Sequence, residues 1–337
     1  MIWLCGLALG ADLDAGADVK VFAVGVVLPE PLDPFSSSVL DVRGKLDAEV
    51  GPLDGELHGT AGAGAADLPL GVGLGEDELV DLSWSGDYAR ARIDRASVRY
   101  RRDHLDVRVG RQPVSFGTGY IFRPMDLVAA FSGTEVDQEY KPGVDAARVD
   151  AYAGVSNTMS LVLAYDRRAL VYGQTTLRGW DVGAMGAALD GWRLAGLVTS
   201  GAVGPVGVRA EATVDADQEV RAALGLDVRF GRGYLAAEGY FQTEPPDNYW
   251  LTGRSYAAVS GSFEIVPLWN ASVAVIANVE EPSALLVPGI SWSVADNAEL
   301  TGSGFIGLGE RPDDFFVPQS EFGTLPAAGV LAMKAWF

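Results

Sequence analysis

An every-other-residue alternation, held in phase over long stretches, limits what this chain can fold into more than any other feature. It is plainest from Val39 to Val50. There Leu40, Val42, Gly44, Leu46, Ala48 and Val50 alternate with Asp41, Arg43, Lys45, Asp47 and Glu49. A strand sends successive side chains to opposite faces, so this segment carries unbroken charge on one face and none on the other. A soluble sheet has no use for that combination. A closed wall with lipid outside and water inside requires it. The rhythm returns from Glu219 to Phe230, where Val220, Ala222, Leu224, Leu226, Val228 and Phe230 oppose Glu219, Arg221, Asp227 and Arg229. At about 3.3 Å per residue and a tilt near ~40°, such a strand covers an apolar band of roughly 25 Å.

Composition narrows the classes further. The net charge of -20 over 337 residues argues against nucleic acid, whose partners carry basic surfaces. Hydrophobic residues make up 48%, yet charge-free runs such as Ile265 to Val279 are interrupted by Pro and Asn. A spanning helix needs roughly 20 predominantly apolar residues. Only helices and closed barrels satisfy every backbone group in lipid, so a membrane-spanning form of this chain is a barrel. The start, MIWLCGLALGA, has the apolar run and small residues of a shortened secretory signal. Residues 1–11 are therefore expected to be a signal remnant and residues 12–337 a single barrel. Removing the remnant takes away Cys5 and leaves no cysteine for disulfides or thiol catalysis.

The stretch from Tyr88 to Val155 organises the rest. Ala89, Ala91 and Ile93 interleave with Arg90, Arg92 and Asp94, and Ala96, Val98 and Tyr100 with Ser97, Arg99 and Arg101. The phase slips once, at Asp94-Arg95, as a bulge makes it slip. Past Arg111 the alternation gives way to an irregular stretch rich in Gly, Pro, aromatics and acids, and resumes at Val144. Two strands with a long insertion between them predict a segment, residues 112–143, folded into the lumen as a constriction or plug. Arg90, Arg92, Arg95, Arg99, Arg101, Arg108 and Arg111 would line one sector, facing Asp126, Glu135, Asp137, Glu139 and Asp145. Opposed basic and acidic walls create a transverse field that screens solutes by charge and size. Pairing of the same charges merely to hold the segment in place is the equal alternative. Gly110, Gly117, Gly119 and Gly143 suggest turns or close backbone approach; Gly117-Thr118-Gly119 lacks the lysine and helix of a phosphate loop.

Ile93-Asp94-Arg95, Val109-Gly110-Arg111-Gln112-Pro113, Phe116-Gly117-Thr118-Gly119, Pro124-Met125-Asp126-Leu127 and Glu139-Tyr140-Lys141-Pro142-Gly143-Val144-Asp145 carry a family resemblance. Over roughly residues 78–155 the chain resembles proteobacterial porin-like outer-membrane proteins, a group akin in character to alginate-export barrels. That resemblance implies a barrel with a folded-in segment and passive transport, and no particular solute.

The end of the chain, GVLAMKAWF, places Leu331, Met333, Ala335 and Phe337 on one face. A last strand closing on phenylalanine resembles the signal read by the bacterial barrel-assembly machinery. Aromatics including Tyr88, Tyr100, Tyr120, Trp180, Tyr234, Tyr240, Trp250, Trp269 and Trp292 fall near expected strand ends, where interfacial girdles account for them. Only His58 and His104 are present, neither spaced with a serine as a catalytic pair, and the two together make no metal centre.

These features predict an all-β transmembrane antiparallel barrel of about 16 strands, within 14 to 18, in a Gram-negative outer membrane. It is expected to be a non-enzymatic channel without cofactors, with lipid, the assembly machinery and small hydrophilic solutes as partners. A homo-oligomer is left open. An exporter or importer of an anionic or carbohydrate polymer is the alternative, and a plugged scaffold or binding barrel a third.

Overall fold

A computed structural model describes residues 12–27, 34–64, 83–86, 89–127, 140–141, 143–165, 167–189, 191–244, 251–311 and 319–337. The expected signal remnant at residues 1–11 lies outside them. The strands in chain order are β1 (Asp12–Val27), β2 (Phe35–Val50), β3 (Leu53–Gly64), β4 (Ser83–Ser85), β5 (Ala89–Arg102), β6 (Leu105–Gln112) and β7 (Val144–Ala153). There follow β8 (Asn157–Ala164), β9 (Arg168–Leu177), β10 (Trp180–Leu189), β11 (Trp192–Val203), β12 (Val206–Asp215) and β13 (Val220–Phe230). The last are β14 (Gly233–Gln242), β15 (Ser255–Val266), β16 (Trp269–Asn278), β17 (Ser283–Ala295), β18 (Ala298–Leu308) and β19 (Ala327–Trp336).

Each strand pairs antiparallel with the next, β3 passes directly to β5, and β19 closes the ring on β1. The barrel thus has 18 strands, with β4 outside the ring. The count is at the top of the expected range and above its centre of about 16. One strand hidden from the alternation is β9, RALVYGQTTL, where Ala169, Leu170, Val171 and Tyr172 run apolar on both faces. Leu170 and Tyr172 point into a packed interior, and Arg168 at the start of the strand is the one charge on their side. β4 pairs Ser83, Trp84 and Ser85 with Arg92, Ala91 and Arg90 of β5, whose pairing with β6 runs only from Ala96 to Arg102. It covers an edge that β6 leaves open, as edge strands demand.

The alternation sorts the faces as expected. Leu197, Leu224, Leu226 and Val259 stand 64, 55, 45 and 50% exposed on the outer wall, with similar side chains all round the ring. A contiguous apolar exterior of that extent is tolerated only in lipid. Asp94 is the extra residue of a bulge, because His58 pairs with Arg95 while Gly59 pairs with Ile93. The slip in phase therefore has the predicted cause.

Alternate connections are tight turns gathered at one end of the barrel. In one of them Arg178 and Gly179 both take positive φ, 54° and 83°, matching the twist of the flanking strands. Near that end Trp269 and Trp292 stack on the outer wall with centroids 5.0 Å apart, and Tyr100 and Trp180 lie on the same face, as a girdle does. Tyr234 and Tyr240 do not belong to it. Their phase on β14 is inward, with Tyr240 buried, and Tyr120 lies in the folded-in segment. Tyr88 and Trp250 lie outside the described residues.

The interior is not uniformly wet. Inward residues of β7 to β11, including Val144, Val162, Leu170, Met185 and Val198, form one buried apolar cluster with Val114 and Met125 of the segment. Tyr240, Tyr256, Ile276 and Leu285 form a second with Phe122 and Phe322. The expectation of water against the whole inner face is corrected here: where the segment covers the wall, both surfaces are apolar and exclude water.

Candidate functional site

Where β6 ends, the chain leaves the wall and crosses the lumen. Its first described part, residues 113–127, has no regular ladder, so its backbone donors need other partners. Two wall carboxylates supply them. Glu211 of β12 accepts from the backbone N–H groups of Thr118, Gly119 (2.7 Å) and Met125 (3.1 Å), and from Thr118 Oγ1 (2.9 Å). Glu238 of β14 accepts from the N–H groups of Tyr120 (2.6 Å), Ile121 (2.9 Å) and Phe122 (3.0 Å). Both glutamates are buried. Charged acceptors for backbone donors make the stronger class of hydrogen bond, and here they fasten an irregular chain to a regular wall. Phe122 stacks on Tyr240 with centroids 5.1 Å apart, and Phe116 packs on Tyr172 at 4.7 Å. Gly119 is required because a Cβ there would collide with the Phe122 carbonyl.

The opposite sector carries the charges. Arg90, Arg92, Arg95, Arg99 and Arg101 share the inner face of β5, and Arg108 that of β6. Arg99 Nε bonds Asp106 at 2.6 Å, Arg101 pairs with Asp54 at 2.8 Å, and Arg108 with Glu56 at 3.3 Å. Arg95 donates to the Lys141 carbonyl at 3.1 Å, tying the returning limb of the segment to the wall. Arg43 pairs with Asp94, the bulged residue. The described part of the returning limb starts at Tyr140, whose ring has Arg43, Lys45, Lys20 and Lys334 at 4.0, 4.7, 5.3 and 5.7 Å. Its hydroxyl donates to Asp18 at 2.8 Å and accepts from Lys45 at 2.6 Å. Lys20 and Lys334 face each other across the β1–β19 seam, a like-charge pair that the ring and Asp18 relieve.

Arg111 and Asp145 sit apart from that sector. Asp145 shares a face with Ala147 and Val149, opposite the inward Val144 and Ala146. Arg111 is 1% exposed and bonds Asp145 at 3.0 and 3.1 Å and the Ile93 carbonyl at 2.7 Å. Its guanidinium thus fills the gap between β5 and β7 where β6 has left the wall, and answers a β5 carbonyl that lost its ladder partner. Gly143 allows this closure, since a Cβ there would strike the Asp94 carbonyl and the Arg111 side chain. Asp126 forms a buried ion pair with Lys141, joining the two limbs of the segment. Glu135, Asp137 and Glu139 lie outside the described residues.

A second loop that turns inward lies within residues 309–324, where the polar sequence alone reads as a loop. Its described part buries Phe322 against Tyr256. Glu321 accepts from Thr252 N–H (2.7 Å), Tyr256 Oη (2.7 Å) and Asn278 Nδ2 (2.7 Å). Glu211, Glu238, Glu321 and Tyr140 are the organising residues that pattern alone missed. A faint signal existed for Glu238, a single carboxylate in phase with Ala236 and Tyr240 and so outside any charge ladder. On the outer face of β19, Leu331 and Met333 are exposed, and Phe337 exchanges backbone hydrogen bonds with Ala17 of β1 (2.8 and 3.1 Å).

No family model and no curated protein matches the chain. Among solved structures it is similar to Acinetobacter baumannii OccAB1, with TM-score 0.65 and 9% identity, covering 97% of this chain and 96% of that one. It is similar to Pseudomonas aeruginosa OpdL at TM-score 0.64 and 10% identity, over 97% and 99% of the two chains. A mutant of Rh. blastica porin matches at TM-score 0.54 and 14% identity, over 97% of this chain and all of that one. The chain is a closed antiparallel barrel with the fold of these bacterial proteins, a porin among them.

Proposed function

We propose that this protein is a passive channel in the outer membrane of a Gram-negative bacterium, admitting small hydrophilic solutes past a charged constriction. One observation carries the proposal. The folded-in segment is anchored by Glu211 and Glu238 to one wall, so its other limb meets the arginine sector of β5 and β6. A solute crossing between them feels guanidinium groups on one side and the segment on the other, a field that sorts by charge as well as size. Arg90, Arg92, Arg95, Arg99, Arg101 and Arg108 supply that field, while Arg111, Asp145 and Asp126 maintain the wall and the segment. The likeness to a porin and the apolar exterior support the same reading. Transport of this kind needs no covalent chemistry. The short-turn end then faces the periplasm, and the strand ending in Leu331, Met333, Ala335 and Phe337 serves as the signal for the barrel-assembly machinery.

Bilayer recording tests this directly. Stepwise conductance is expected from the purified barrel, and replacing both Arg95 and Arg99 with Glu should shift ion preference toward cations. A silent protein favours the plugged scaffold, and unchanged selectivity in the double variant removes the constriction from these residues.

A further inference from the structure

We infer that Asp47, Glu56 and His58 form a binding site for a divalent transition-metal cation on the inner face of the β2–β3 hairpin. Asp47 and Glu56 are direct cross-strand partners, and His58 lies one inward position along from Glu56. One ligand atom from each lies within 4.8 Å of the others. His58 Nε2 and Asp47 Oδ1 are 3.2 Å apart. Metal bonds to imidazole and carboxylate of about 2.0–2.2 Å place neighbouring ligand atoms roughly 3 Å apart, so this pair already spans one edge of a coordination shell. A Glu56 carboxylate oxygen supplies the third ligand atom, within 4.8 Å of the other two.

Three further observations support the assignment. Glu56 is held from behind by Ser97 Oγ at 2.8 Å and Arg108 at 3.3 Å, the kind of support that orients a metal-binding carboxylate. His58 Nδ1 is buried without a hydrogen-bond partner among the described residues, an unmet polar atom of the kind a bound ion or its water satisfies. Asp47 is half exposed to the lumen, which leaves a path of entry. One nitrogen and two oxygen donors suit Zn²⁺, Co²⁺ or Ni²⁺ better than Ca²⁺ or Mg²⁺, which prefer oxygen alone.

The site stands independently of the channel proposal, because occupancy is measurable without conduction. The folded barrel in detergent is titrated with Zn²⁺ by calorimetry, and with Co²⁺ while its visible absorption is followed. Saturation near one equivalent is expected, with ligand-field bands for Co²⁺ and little competition from excess Mg²⁺. His58→Ala should weaken Zn²⁺ binding more than tenfold, and Ser97→Ala about tenfold through loss of outer support. Undiminished binding in His58→Ala, displacement by equimolar Mg²⁺, or no binding by the wild-type barrel overturns the proposal. If His58→Ala does not fold, His58→Gln is judged by the same criterion.

Discussion

Arg111 shows how much one side chain can do where a sheet is interrupted. β6 leaves the wall while β5 and β7 continue, and the break exposes a carbonyl on one strand and isolates a carboxylate on the next. A guanidinium has a fork of donors fixed in a plane, so one residue answers both; a lysine at that position could not. Replacing Arg111 with Ala takes the guanidinium away from the half-buried Asp145 carboxylate and from the Ile93 carbonyl. The expected loss is about 3–5 kcal/mol of folding stability, measured by urea unfolding in detergent. A loss no larger than that of a surface arginine such as Arg102 would refute the role. In the sequence Arg111 continued the arginine series of β5 and β6, but it stands three residues from the inward Arg108 on one strand, so parity sends it to the other face. Between them Gly110 takes φ 118°, within two residues of the end of the strand.

At the scale of elements, the folded-in segment is the part most dependent on long-range partners. It carries no strand or helix periodicity, and its position comes from Glu211 and Glu238, about a hundred residues further along the chain. Glu238→Ala leaves three backbone donors without their acceptor and should cost on the order of 3 kcal/mol. The segment then detaches on its Phe122 side. Larger single-channel conductance and faster tryptic cleavage after Arg123 are the expected readouts. Unchanged values for both would mean that apolar packing alone holds the segment. The existence of the insertion was legible, because alternation stops after Arg111 and resumes at Val144. The wall it packs on was not. β9 and its neighbours β8 and β10 carry charge on their inner faces only at the strand ends, at Arg168 and Asp181, because the rest of that surface is covered.

For the whole molecule, the decisive quantity is the match between the outer apolar belt and lipid. Leu226 is an exposed, outward residue near the middle of β13, and Asp227 beside it faces inward to pair with Arg209 at 2.8 Å. Leu226→Arg should destabilise the barrel in vesicles by about 2–4 kcal/mol, read from its unfolding midpoint. The same substitution at exposed Val155, in a turn at the barrel end, should cost about 0–1 kcal/mol. Equal penalties at the two sites would contradict a membrane at the middle of the wall. Closure itself is distributed over the ring, with β1 and β19 joined along ten paired positions from Asp18 to Val27.

Local chemistry alone determined the barrel, the assignment of faces and the bulge at Asp94, because in a strand facing is set by residue parity and needs no knowledge of distant contacts. The number of strands, the apolar half of the interior and the anchoring of the segment were decided only in three dimensions. Each arises where two surfaces cover one another, and a covered surface sheds the charges by which a sequence advertises water.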